Sequence, residues 1–377
     1  MLLRGCLILA LLLFCCFPVR QLAAEPQLAP HLDYQAERSS PVTYDIELAA
    51  IVTAPYHTHS LKVWLPIPQS DFAQEVMPGE ISTFPTNVKP QIATEKVHGN
   101  KFAYFEFTDP QGAQIIRHRF QVTTYELRWN VDFTKVTRPK AWSAGFEPYL
   151  RGDQAVVIDD AIQTQAREIA GDAATSADNL GRILEWMSQT MKYDHGRASL
   201  GASSLHAFQT KSGHCSDYHG LCAAFGRALG HPTRVTYGLN TFPKNSPSHC
   251  KLEVFLPPHG WVSFDVSETQ RLMQAIGKDD KLTEAERKEL QTAAFARLKS
   301  GFRDNTWLLQ TRGTGYDLVP PAKKKVNVVR TIYAEADGVA LPEPDPADAT
   351  QTKFAWQIGM QVQANKEVGY PFSHHQK

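Results

Sequence analysis

The sequence predicts an α+β protein with a β-sandwich on its N-terminal side, and three observations predict it. From Ser40 to about Val136, short alternating runs such as Leu61–Leu65 and Phe102–Phe107 recur between Pro, Gly, Asn and Asp. Between Asp159 and Leu229 the apolar spacing changes to the helical period. Beyond Arg234 the alternation returns. Short strands, then helices, then strands make segregated α and β elements rather than a βαβ repeat.

Each part follows in order. Met1–Arg4 is a short positive start, Cys6–Phe17 is an unbroken apolar run, and small residues follow near Ala24. That is the pattern of a secretory signal over residues 1–24, and the run is short for a membrane span. The expected location is therefore the periplasm or the exterior. Residues 25–140 are expected to form the sandwich, with Val42–Leu48 and the long run from Ile115 to Val131 among its strands. Residues 141–341 are expected to form the second domain. Its helices are expected at Asp159–Ala170, at 180–191, where Leu180, Ile183, Leu184, Met187 and Met191 share a face, and at Cys215–Leu229. Gly230 and Pro232 stop the third. Thr283 and Glu286 form a capping box inside a helical insertion over about 270–302. Trp307–Gln310, Tyr316–Val319 and Val326–Tyr333 read as further strands, and 342–377 as a proline-rich linker and polar tail.

The chain has 377 residues, with 42% hydrophobic and 21% charged, which suits globular domains. Lys plus Arg and Asp plus Glu are both 39. That balance gives no basic excess of the kind nucleic acid or an anionic membrane would select. Three of the six cysteines lie in the apolar leader, leaving Cys215, Cys222 and Cys250. An odd, sparse set is no disulfide framework, and a free thiol in an exported chain invites a catalytic reason. Cys222 and Cys250 read as core residues, with a disulfide between them left open. The spacing of His214, Cys215, His219 and Cys222 fits no common zinc site, so neither a metal nor an organic cofactor is expected.

The chemistry concentrates at Gly213-His214-Cys215-Ser216-Asp217-Tyr218. A cysteine at a helix start meets unpaired N–H groups and the positive end of the helix dipole, which favours thiolate. Gly213 permits a tight turn into the helix. Asp217 and Tyr218 are expected to support that start. His249 opens the strand Cys250–Leu256, and Asp265 lies in the return strand Trp261–Val266. Facing the apolar sets Cys250, Leu252, Val254, Leu256 and Val262, Phe264, Val266 requires a hairpin loop of odd length. With three loop residues, Asp265 falls opposite Lys251 and diagonal to His249, at roughly 7–8 Å between backbones. A carboxylate there can orient the imidazole that activates the thiol. His259, in the turn, is the surface histidine of the set.

These blocks resemble the transglutaminase-like superfamily. Gly-His-Cys-Ser-Asp followed by Arg-Ala-Leu-Gly-His-Pro-Thr-Arg, then His249 to Val254 and Gly260 to Asp265, match its pattern over roughly Ser176–Thr269. The β-rich region before this and Gly313–Leu318 after it are more loosely similar to exported bacterial members. The resemblance implies a papain-like core, a nucleophile helix packed on an antiparallel sheet, with Cys215, His249 and Asp265 as catalytic residues. It does not fix the reaction; the expectation is thiol-dependent acyl transfer or hydrolysis at peptide or isopeptide amides of a protein or peptide, cell-envelope ones included, with hydrolysis ahead of crosslinking because water is abundant and nothing marks a lysine-binding site. The competing expectation is a catalytically silent binding module of the same fold. Lys251 stands where the family often has an aromatic, and is expected to alter the substrate cleft. The Cys215 N–H is the natural oxyanion donor, with the Gln209 amide as side-chain candidate.

Overall fold

A computed structural model describes residues 28–173, 178–242, 247–345 and 355–372. The leader at 1–24 lies outside the described residues. Among those described, no helix is long and apolar enough to cross a membrane.

The two sandwich sheets are antiparallel. In the first, the long strand Glu37–Thr53 pairs with Ala113–Arg128 on one side and Trp356–Ala364 on the other. In the second, Ser60–Ile67 pairs with Lys101–Thr108 and with Tyr333–Ala336. Alternation sends Val52, Val63, Phe105, Phe107, Ile116 and Trp356 into one core between the sheets.

Two sequence expectations need correction here. The region 342–377 is not simply linker and tail, because Trp356–Ala364 runs antiparallel to Glu37–Thr53 with Ile358 opposite Ala50. Its alternation of Trp356, Ile358, Met360 and Val362 is weak, but an open sheet edge supplies the missing backbone partners. After that strand, Phe372 is buried and its ring lies 5.9 Å from Phe302. Arg297 Nη2 donates to the Pro371 carbonyl at 2.9 Å. Second, the expected strand Val326–Tyr333 is displaced, with pairing running over Tyr333–Ala336 instead. Tyr316 and Val326 form an isolated bridge.

The second unit places a helix on a sheet. Gly260–Phe264, Ser248–Leu256, Thr233–Asn240 and Trp307–Arg312 lie side by side in that order, all antiparallel. The helix Cys215–Ala228 packs on one face, joining Tyr218, Leu221, Cys222 and Phe225 to Val235, Tyr237, Cys250, Leu252 and Val254. Helices Asp160–Ala170 and Asn179–Thr190 cover its far side through Ile162, Ala166, Ile183, Leu184 and Met187. The Cys215 helix is therefore enclosed nearly all round, which its apolar and small side chains permit. The capping box forms as the sequence indicates. Thr283 N–H donates to Glu286 Oε2 at 2.9 Å, Glu286 N–H returns to Thr283 Oγ1 at 3.2 Å, and the helix spans Glu284–Ser300. A further helix, Val266–Gly277, precedes it.

Candidate active site

Cys215 is the first residue of its helix. The turn before it is fixed by Asp217, whose Oδ2 accepts from the His214 N–H at 3.2 Å and from the Ser199 N–H at 3.2 Å. Ser199 Oγ donates to the other carboxylate oxygen. Gly213 makes room for this carboxylate. It has φ 149°, and a Cβ there would stand 2.4 Å from Asp217 Oδ2. Gly213→Ala is accordingly expected to cost about 1–3 kcal/mol through overpacking. Thermal unfolding reads this, and an unchanged Tm would contradict the account.

The hairpin register is the one the apolar faces demand. Leu252 faces Phe264, Leu256 faces Gly260, and three residues form the loop. Asp265 follows the strand and caps the helix Val266–Gly277, accepting from the Glu268 N–H at 3.1 Å through Oδ1. Its other oxygen, Oδ2, meets His249 Nε2 at 2.7 Å. The remaining ring nitrogen is Nδ1, and the charges of His249 and Cys215 act on each other. The structure thus brings Cys215, His249 and Asp265 into one buried group, in which His249 and Asp265 are directly hydrogen-bonded. All three are buried, with Cys215 at 9% exposure. Trp307 Nε1 donates to the His249 carbonyl at 3.2 Å and fixes the strand's first turn of backbone.

The electrostatics are those of an ion pair. The Cys215 thiol is held well below its ordinary value, first by a hydrogen bond from Cys250, then by the charge and hydrogen bond of His249, which together outweigh burial. Burial pulls His249 down, but the Asp265 carboxylate and Cys215 thiolate overcome it and raise the imidazole to about 9. Asp265 sits well below the carboxylate range: burial opposes ionisation, and Lys251 and His249 more than compensate.

Several residues have surroundings that the sequence did not show. Lys251 does not line a cleft. It is 1% exposed and its ammonium bridges Asp265 Oδ2 at 2.6 Å and Asp304 Oδ2 at 2.8 Å. The register already set Lys251 opposite Asp265; what the sequence lacked was Asp304, 53 residues further on. His219, one helical turn after Cys215, accepts from the Val266 N–H at 3.2 Å through Nε2. Its Nδ1 lies 3.5 Å from Cys250 Sγ. Arg330 Nη1 donates to His214 Nε2 at 3.1 Å, at the residue just before the Cys215 helix. Cys222 and Cys250 are both free and buried, so the disulfide left open between them is not formed. Cys222 is a core residue with its thiol pushed above the ordinary range by burial. Cys250 is a core residue too, and its sulfur lies 3.5 Å from His219 Nδ1. Gln209 is not among the residues gathered: it is exposed near the end of the helix Ser204–Thr210, where water competes for any donor.

Residues 163–266 match the family model described as the transglutaminase-like superfamily. A Haemophilus influenzae protein described as uncharacterized is 23% identical over 242 residues, covering 56% of this chain and 63% of that relative. The match thus spans less than two thirds of the relative's length. A proposed cysteine protease from Cytophaga hutchinsonii has a similar fold, with TM-score 0.55 at 13% identity, covering 90% of this chain and 96% of the other. The periplasmic domain of TgpA from Pseudomonas aeruginosa is a looser likeness, with TM-score 0.31 and 16% identity over 68% of this chain and 80% of that one. The segment of the family match contains Cys215, His249 and Asp265, and it holds the Cys215 helix and three of the four strands of the sheet on which it packs. The chain therefore carries, at residues 163–266, a core of the transglutaminase-like superfamily.

Proposed function

We propose that this protein cleaves or transfers acyl groups at peptide or isopeptide amides, with Cys215 as nucleophile, His249 as acid and base, and Asp265 as the carboxylate that orients the ring. The observation that carries the proposal is the buried His249–Asp265 pair, 2.7 Å apart, whose charge acts on a buried cysteine at a helix N-terminus. The Cys215 thiolate attacks the carbonyl carbon, forming a C–S bond. His249 gives its proton to the departing amine as the C–N bond breaks, leaving a thioester. Water, giving a proton to His249, or an acceptor amine then displaces the sulfur. The Cys215 N–H, free at the first turn of the helix, faces the developing oxyanion. The substrate is proposed to be a protein or peptide met in the periplasm or outside the cell.

Incubation with a peptide library should yield a thioester adduct on the Cys215 peptide by mass spectrometry, and Cys215→Ala should form none. Adducts at equal, low levels on all three cysteines would refute the mechanism. The ion pair also sets a pH window. Thiolate and imidazolium coexist above the lowered Cys215 value and below about 9, where His249 loses its proton. Activity should be flat across neutral pH and fall near 9; a rise through that region, as for a free thiol, would contradict the pairing.

One observation favours the silent binding module as second reading: Cys215 is only 9% exposed, so a substrate must displace neighbours to reach it. Iodoacetamide decides between them. Fast, selective labelling of Cys215 supports catalysis, and slow labelling equal to that of Cys222 supports the binding module.

A further inference from the structure

We propose that a cavity on the outer face of the four-stranded sheet is a second site, built to hold a small carboxylate-bearing ligand. It lies apart from the thiol site and stands without the catalytic reading.

The cavity has a volume of about 410 Å³, within the range of small-molecule pockets. Its walls include Tyr34, His98, Tyr149, Arg234, Trp261 and Arg312. Strand alternation fixes its side of the sheet. Cys250 meets His219 of the Cys215 helix at 3.5 Å, so Leu252 and Val254 turn toward that helix and Glu253 turns away. Arg234 is the cross-strand partner of Glu253 and shares the outer face. The chain's own backbone closes one wall. Trp261 Nε1 donates to the Pro30 carbonyl at 2.7 Å, and the Gln35 N–H donates to the His259 carbonyl at 3.2 Å. These bonds pin residues 30–35 across the hairpin.

The floor carries more positive than negative charge. Arg234 Nε and the Tyr34 hydroxyl both donate to buried Glu253, each at 2.6 Å. Arg312 Nη2 donates to Asp71 Oδ2, and Arg303 Nη1 lies 3.9 Å from the same oxygen. Three guanidiniums therefore meet two carboxylates, a surplus of one positive charge. Arg227 and Asp153, which also act on His98, balance each other at 3.0 Å. Burial lowers His98 to about 4, so its ring adds no charge at neutral pH. Asp33 lines the mouth, but it is exposed and water screens it.

Unmet donors show what would balance the surplus. The Arg234 side chain is only 8% exposed, and its guanidinium stacks 4.0 Å from the centre of the Trp261 ring. Nε is its only nitrogen with a hydrogen-bond partner among the described residues, which leaves both Nη groups to the cavity. His98 Nδ1 is buried and has no partner among them either, and its ring lies 5.6 Å from that of Tyr149. A guanidinium fork fits a carboxylate through two parallel bonds. One surplus charge suits a monoanion, whereas Glu253 and Asp71 would repel a dianion such as phosphate. The Tyr149 and Trp261 rings suit an apolar or aromatic body. The ligand class is therefore a small acid with such a body, free or as the C-terminus of a peptide.

The test is isothermal titration calorimetry on the full protein. The probes are N-acetylphenylalanine, its uncharged amide and inorganic phosphate. Wild type should bind the acid at one site with a millimolar or tighter Kd that weakens with salt, and the amide at least about tenfold less well. Arg234→Lys keeps a charge beside Glu253 but lacks the fork, and should weaken the acid about tenfold. Asp33→Asn removes a like charge from an exposed position, and should tighten the acid about two- to fivefold while leaving the amide unmoved. A purely structural effect would not separate the two probes in that way. If Arg234→Lys does not fold, Asp33→Asn carries the comparison, and an unchanged affinity for the acid overturns the inference. Saturation absent up to about 10 mM, equal affinity for acid and amide, or a preference for phosphate would each overturn it as well. Cys215→Ala should bind the acid as wild type does; loss there would place the acid at the thiol and overturn the second site. None of these outcomes touches Cys215 labelling, on which the catalytic reading is tested. A hexapeptide ending in a free phenylalanine carboxylate separates the sources. Binding of both it and the small acid assigns a peptide terminus, and binding of the small acid alone assigns a free metabolite-sized ligand.

Discussion

Lys251→Met is expected to destabilise the folded protein by about 3–5 kcal/mol, the cost of stranding a buried charge. The ammonium lies between two buried carboxylates, 2.6 Å from Asp265 and 2.8 Å from Asp304. Methionine fills the same space and removes the cation. Asp265 would keep the His249 ring and the helix N–H groups. Asp304 would keep only Thr306, whose N–H donates at 3.1 Å and whose hydroxyl donates at 2.5 Å. The loss should depend on pH in a definite sense. Both carboxylates are held below their ordinary values, Lys251 being the largest favourable cause for each against burial. Their contribution is therefore full above the unfolded carboxylate value of about 4 and disappears as pH falls through the folded values. Wild type and variant should differ most at neutral pH and converge on acidification. The added change Asp304→Asn should recover part of the loss. Urea unfolding measures all three proteins, and a Lys251→Met cost below about 1 kcal/mol would show that the ammonium is dispensable.

The second large effect is on catalysis. Asp265→Asn should lower kcat/KM roughly 10³–10⁴-fold, the range for removing a triad carboxylate's charge while keeping its shape. Asparagine remains a good helix cap, so the helix Val266–Gly277 should survive. What is lost is the charge that lifts His249 to about 9 against its burial. Burial would then prevail, the imidazole would titrate lower, and the thiolate would lose its cation. The alkaline limb of Cys215 alkylation should therefore move toward neutral pH in the variant. A variant with a full imidazolium–thiolate window and an intact rate would show that Asp265 serves only as a cap.

These effects locate the boundary of what the primary structure displays. The helix carrying Cys215 was legible because an apolar repeat ends at Gly230, and chain stiffness makes that pattern local. The hairpin was legible for a similar reason. A period-two pattern allows only registers that keep both apolar faces together, and that constraint alone set Asp265 opposite Lys251 and diagonal to His249. The role of Lys251 was not. In sequence it is one cation in an apolar strand, which fits a cleft as well as an interior. Burial beside Asp304 settles the matter, and no local rule links residues 251 and 304.

The C-terminal region makes the same point through the backbone. Trp356–Ala364 alternates weakly and reads as linker and tail, yet it completes the sheet edge beside Glu37–Thr53. Sheet pairing needs only a matching row of amide groups and has no limit in chain separation. Gln209 failed as an oxyanion donor for the converse reason. Nearness to Cys215 in sequence said nothing about which way its helix faces, and it faces water.

Composition, periodicity and residue spacing by themselves determined the α+β class, the helix that begins at Cys215 and the strand register that aligns His249 with Asp265. Those features arise from interactions between near neighbours, which a linear pattern records. The tertiary structure alone decided the ammonium shared between Asp265 and Asp304 and the late strand that completes the sandwich edge. Each of these depends on groups far apart in the chain meeting where water is excluded, and only there does a buried charge or thiol acquire its partner and its pKa.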